Sequence, residues 1–83
     1  MNKIEVELPQ VPLGRRCRIV RLNHPGAIRA RLLEIGLVPG AELIPLFRSW
    51  AWDPTAYLVA GTVIALRNDD ARQIVIEYSE DPS

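Results

Sequence analysis

Apolar and polar residues alternate with a period of two along most of the chain and switch to a helical period once. At the N-terminus Ile4, Val6 and Leu8 alternate with Lys3, Glu5 and Glu7, the pattern of a strand with one wet face, so residues 2–8 read as an edge strand or an ordered arm. Pro9 and Pro12 flank an extended connector, and Leu13-Gly14 turns it. Residues 17–22 form the first core strand, with Cys17 and Ile19 facing in and Arg16 and Arg18 facing out. Unbroken alternation would bring Arg21 inward next to an apolar Leu22, which predicts a bulge or bend near Val20. A second strand spans 41–47, and Pro45, having no N–H to give a ladder, requires an edge or a bulge there. Strands over 55–60 and 62–67 meet at Gly61 as a tight hairpin. The last strand, 73–78, follows a polar Asn68-Asp69-Asp70 turn.

One helix, over about 27–35, interrupts the strands. Ile28, Leu32 and Ile35 fall at i, i+4 and i+7 and predict a buried stripe, which Leu33 widens. Arg29, Ala30, Arg31 and Glu34 complete the outer surface. Gly36 fits the left-handed residue after the helix, Leu37 can fold back on the last turn, and Pro39-Gly40 fits a type II turn. So few short elements cannot build a two-layer α/β fold. The economical architecture is mainly β: a small, strongly bent antiparallel barrel of about five strands, with the helix plugging one side.

The chain's 83 residues and 9.3 kDa suit one domain over 1–83, with a core over about 13–77, an arm over 1–12 and a loose tail over 79–83. Lys plus Arg and Asp plus Glu number 10 each, for a net charge of +0, so no chain-wide footprint for nucleic acid or anionic lipid exists. The distribution is less even. Arg15, Arg16, Arg18, Arg21, Arg29 and Arg31 lie within seventeen positions that hold no acid, while Asp69, Asp70, Glu77, Glu80 and Asp81 gather near the other end. The pattern predicts a molecule polarised in charge. The arginines read either as a docking surface for phosphate, nucleic acid or an acidic protein, or as ordinary solvated faces with Arg31 paired to Glu34.

One cysteine, Cys17, leaves no internal disulfide and no Cys-pair zinc site. With no export-type apolar run and no 20-residue span, the expected location is the cytoplasm. Cys17 reads as a buried strand thiol and His24 as a loop residue before Pro25-Gly26, too far from the thiol to activate it. No catalytic residues, no metal ligands and no cofactor are expected. The remaining feature is Ser49-Trp50-Ala51-Trp52-Asp53-Pro54. Its two tryptophans either face a partner or fill an open end of the barrel.

Several ordered pieces together resemble the ferrous-iron transport protein A (FeoA) family. They are Leu13-Gly14 before the Ile19 strand, then the run from Arg31 through Leu32, Leu33, Gly36 and Pro39 to Gly40. Asp53-Pro54, Gly61, Ile64-Ala65-Leu66-Arg67, Ala71 and Ile74-Val75-Ile76 come next in order. The likeness runs over about 13–77 and implies an SH3-like β-barrel. It also implies a small cytosolic accessory of the bacterial ferrous-iron permease FeoB, working by protein–protein contact with the permease or its cytosolic GTPase domain. Contact would use Arg16, Arg18, Arg29, Arg31, Trp50 and Trp52, with no nucleic acid, no membrane insertion, and self-association through the Trp loop or an edge strand as an open option. The competing readings are an SH3-like nucleic-acid binder and a metal-responsive module using Cys17, His24 or the Asp pair. Two departures stand out: many family members have Ala-Pro-Leu-Gly where this chain has Ser49-Trp50-Ala51-Trp52, and Pro45 replaces a strand aliphatic.

Overall fold

The computed structural model describes residues 2–80. In chain order the elements are β1 (Lys3–Glu7), a 3-10 turn (Leu8–Gln10), β2 (Cys17–Leu22), α1 (Gly26–Glu34), β3 (Glu42–Arg48), β4 (Thr55–Val59), β5 (Thr62–Leu66), α2 (Asn68–Ala71) and β6 (Ile74–Ser79). The six strands form one antiparallel sheet in the spatial order β1-β6-β2-β3-β4-β5. The fold is therefore mainly antiparallel β with one short helix, as the alternation predicts, but with six strands rather than about five. The sixth is β1, which pairs along β6 from Lys3↔Ser79 to Glu7↔Val75. Among the described residues no pairing joins β1 to β5, so the bent sheet keeps two edges. The Asn68-Asp69-Asp70 segment is a short helical turn, α2, rather than a simple loop. Ser79 completes β6, and the Glu80 N–H donates to the Asn2 carbonyl at 3.1 Å. The part of the expected loose tail from Asp81 onward lies outside the described residues.

The core is a single cluster. Leu8, Val11, Ile19, Leu37, Leu43, Tyr57, Val59, Ile74 and Ile76 are all buried in it, each contributing roughly 1.5–3 kcal/mol of hydrophobic transfer energy. Ile74 and Ile76 are fully buried because β6 runs in the interior of the sheet, between β1 and β2. Leu8 and Val11, from the N-terminal arm, close the core from below through the 3-10 turn.

Local geometry follows the sequence closely at four places. The pairing of β2 with β6 shifts register between Ile19 and Arg21; the resulting bulge lets Cys17, Ile19 and Leu22 all point inward while Arg18 and Arg21 stay outside. At the end of α1 the Leu37 N–H donates to the Leu32 carbonyl (3.0 Å) and the Gly36 N–H to that of Leu33 (3.1 Å). That is the Schellman pattern, and it needs a left-handed residue, met by Gly36 at φ +102°. Ala60 and Gly61 both have positive φ and join the Val59↔Thr62 pair as a two-residue type I′ hairpin. Pro45 sits where β3 has already lost β2, whose pairing ends at Cys17↔Leu43, and a bulge follows between Pro45 and Phe47. Its missing N–H therefore breaks no ladder on that side.

Two expectations need correction. Of the predicted stripe on α1, only Leu32 is buried; Ile28 and Ile35 are 43% and 48% exposed. The helix is anchored at its C-terminal end by Leu32 and Leu37, so it leans on the sheet rather than plugging it. Periodicity reports that a helix has an apolar face, not that the fold supplies something to cover it. The predicted charge polarisation is also reduced, because acids of β1, β3 and β6 come to lie beside the cations of β1 and β2. Lys3 meets Glu77 (3.8 Å), Arg18 meets Glu42 (3.1 Å) and Arg21 meets Glu5 (3.7 Å). Each is a surface pair worth at most about 1 kcal/mol, and Arg18 and Arg21 are the two arginines of the run that meet an acid among the described residues.

Candidate interaction surface

The β3–β4 connection carries the most exposed apolar group of residues. β3 begins with Leu43 and Pro45 facing the core, and unbroken alternation would send Phe47 inward as well. The bulge after Pro45 reverses this, leaving Phe47 58% exposed. Trp50 and Trp52 come next at 95% and 67% exposure. With Leu13, Arg48 and Ser49 they line a shallow open cavity of about 320 Å³. The Arg48 guanidinium lies over the Trp52 ring, 5.5 Å from its centroid, so a cation sits inside an otherwise apolar ledge. No carboxylate of the described residues lines it.

The backbone of this loop is fixed on every side. The Trp52 N–H donates to the Ser49 carbonyl (2.8 Å), and the Ser49 hydroxyl donates to the Asp53 carbonyl (2.9 Å). The Asn68 side-chain amide donates to the Trp52 carbonyl (3.1 Å), and the Asp53 carboxylate accepts the Asn68 N–H (3.0 Å). These bonds hold Trp52 at φ +66°, in the left-handed region that bulky L-residues avoid.

The six residues expected to contact a partner fall in three places. Trp50 and Trp52 share the ledge. Arg16 and Arg18 line a different cavity along β2, where Arg18 is already bonded to Glu42. Arg29 and Arg31 are exposed on α1, line neither cavity, and have no ion-pair partner among the described residues; Arg31 does not meet Glu34. The turn and motif residues occupy structural roles. Gly14, Gly36, Gly40 and Gly61 have positive φ, Leu32 is buried, and Leu33 is half-buried. Pro39 and Gly40 form the turn closed by Ala41 N–H to Val38 O (3.0 Å), Asp53 and Pro54 anchor the loop, and Arg67 leads into α2. Leu13, Phe47 and Arg48 are the surface residues that pattern reading misses. Pro45 is the one available signal, since a bulge beside it inverts the facing of Phe47.

Cys17 and His24 are both buried, 3% and 6% exposed. Burial pushes the Cys17 thiol up to about 12, which keeps it protonated and unreactive. His24 is a loop residue, yet its ring packs inside, where Nε2–H donates to the Asp70 carbonyl at 2.8 Å. No three His, Cys, Asp or Glu side chains gather as a metal site among the described residues. No helix there is long and apolar enough to cross a membrane.

Comparison with known proteins agrees with the fold. The family model described as the FeoA domain matches residues 6–78. The Fe(2+) transport protein A/Fe(2+) transporter FeoB fusion protein of Porphyromonas gingivalis is 31% identical over 72 residues, covering 87% of this chain. This chain spans only 8% of that relative's length. The solution structure of FeoA protein from Chlorobium tepidum superposes with a TM-score of 0.86 at 26% identity, covering 94% of this chain and 75% of that one. The zinc-complexed FeoA of Stenotrophomonas maltophilia, a prokaryotic SH3 domain protein, superposes at 0.74 with 24% identity, covering 89% and 96% of the two chains. At that identity it speaks for the SH3-like fold alone.

Proposed function

This chain belongs to the FeoA family, and from that premise we propose that it is a small cytoplasmic accessory of bacterial ferrous-iron uptake, acting by contact with a FeoB-type permease or its cytosolic GTPase domain. The observation that carries the reading is the relative in which a matching segment is fused to a FeoB transporter in one polypeptide. Fusion sets a high effective concentration of one module beside the other, which is of use only if the two touch. On this chain the ledge of Phe47, Trp50 and Trp52 has the composition of an interface centre, with aromatic anchors around an arginine and no acid. Arg29 and Arg31 add a cationic surface on α1 suited to steering an acidic partner. The protein makes and breaks no bonds of its own in this role. Its one thiol and one imidazole are both inside, and neither has the other as a partner.

The test is co-purification of the tagged protein with its FeoB-type GTPase domain, with and without guanine nucleotide. Phe47→Ser combined with Trp50→Ser is expected to reduce capture at least tenfold, and Arg29→Glu with Arg31→Glu to reduce it further at low salt. Capture unchanged in both double variants would refute the assignment of these surfaces. Absence of capture of the parent protein would refute the reading itself.

A further inference from the structure

A second surface, lined by none of the ledge residues, has its own chemistry. Two open cavities meet along β2 and β3. The first, of about 220 Å³, is lined by Lys3, Arg15, Arg16 and Arg18, opposed among the described residues by Glu42 and Glu77. The second, of about 390 Å³, has an aliphatic floor that includes Leu43, Ile44 and Leu58. Arg16 and Glu42 line both, so the two are halves of one groove.

The cations differ in how committed they are. Arg15 donates to the Ser79 carbonyl (2.9 Å) and lies 5.6 Å from the Tyr78 ring centroid; Arg18 is bonded to Glu42 and Lys3 is paired with Glu77. Arg16 is exposed and has no ion pair or side-chain hydrogen bond among the described residues. It is therefore the free guanidinium, and it stands at the junction of the charged and aliphatic halves.

We propose that this groove binds an extended protein segment in which one Asp or Glu side chain is followed by aliphatic residues. The carboxylate takes the two free donor edges of Arg16 in a bidentate pair, and the aliphatic side chains lie on Ile44 and Leu58. Among the described residues four cations against two carboxylates leave the charged half positive, which matches one or two acidic groups rather than a polyanion. Nucleic acid fits less well for two reasons. Glu42 and Glu77 would oppose successive phosphates, and the second half offers no aromatic face on which a base could stack.

The experiment is an amide-resolved NMR titration of the full chain with three probes: an acetylated, amidated nonapeptide with a central Glu-Leu-Val, the same peptide with Gln for Glu, and a deoxythymidine decamer. The expected result is millimolar or tighter binding of the Glu peptide with shifts at Arg16, Ile44, Leu58 and Gly61, at least tenfold weaker binding of the Gln peptide, and a tenfold loss in Arg16→Glu. A charge-preserving Arg16→Lys should lose severalfold, since a lysine cannot form the fork. Equal binding of the two peptides, shifts confined elsewhere, no shift at millimolar peptide, or preference for the oligonucleotide would each overturn the proposal. No permease enters this titration, so its failure leaves the accessory reading standing. Failure of co-purification would in turn leave the groove's peptide specificity intact.

Discussion

Replacing Trp52 separates the conformational cost of the aromatic ledge from its use. At φ +66° a non-glycine residue bears a strain of about 1–2 kcal/mol. Glycine removes the strain but loses about 0.5–1 kcal/mol to the greater freedom of the unfolded chain. Either substitution also gives up the contact of Arg48 with the indole ring, worth about 0.5–1 kcal/mol at an exposed site. Trp52→Ala keeps the strain and loses the contact, so it should be less stable than the parent by roughly 0.5–1 kcal/mol. Trp52→Gly should come out near the parent, and above Trp52→Ala by roughly 0.75 kcal/mol, or about 3–6 °C in Tm for a domain of this size. The usual order, in which alanine outranks glycine, is inverted.

Thermal unfolding followed by far-ultraviolet circular dichroism measures this without depending on tryptophan emission. Trp50 supplies the control, because its φ is not positive and Trp50→Gly should be no more stable than Trp50→Ala. If Trp52→Ala melts at or above Trp52→Gly, the strain argument is wrong. If both Trp52 variants fold well yet still capture the GTPase domain as the parent does, the strain is present but serves no docking.

The packing sets three further outcomes. The Cys17 thiol rises from 9.0 to about 12 on folding, so the unfolded state loses its proton first and stability falls as pH climbs above 9; between pH 9 and 10 urea titrations should show the parent losing about 1 kcal/mol more than Cys17→Ala. The Tyr57 hydroxyl is also raised, mainly by burial and with the least contribution from Cys17, so most of its effect is common to both proteins. Leu8→Ala should cost about 2–5 kcal/mol, whereas Ile28→Ala on α1 should stay within about 0.5 kcal/mol; equal effects would mean that the helix, not the N-terminal turn, closes the core. Asp53→Ala deletes the acceptor of the Asn68 N–H and should cost about 1.5–3 kcal/mol, measured by the same denaturation.

Sequence reading reached the strands, the hairpin at Gly61, the Schellman end of α1 and the bulge after Ile19 because each is decided within a few residues. A left-handed glycine, a primed turn or a broken alternation is written locally. What it missed depends on residues brought together from far apart. Nothing in residues 73–78 says that this strand will enter between β1 and β2, nor in residues 42–48 that β3 will lie on the other side of β2; those placements bring Glu5 to Arg21 and Glu42 to Arg18. The same holds for His24, whose burial is set by a carbonyl forty-six positions away. Phe47 is the intermediate case. Pro45 announced a bulge, and the outward turn of Phe47 results once the bulge is placed after the proline rather than before it.

Exposure alone does not mark an interface, since a small domain lacks the polar residues to cover itself. Ile28, Ile35 and Val63 are as open as many surface aliphatics and sit in a helix, its C-terminal cap and a strand, none at positive φ. The ledge differs in what is required to keep it. Trp52 occupies a left-handed backbone that glycine would fill without strain, and four hydrogen bonds from Ser49, Asp53 and Asn68 hold the loop in that shape. That strained and hydrogen-bonded placement, which the equally exposed aliphatics of α1 lack, is the physical reason to test the ledge before α1 as a docking surface.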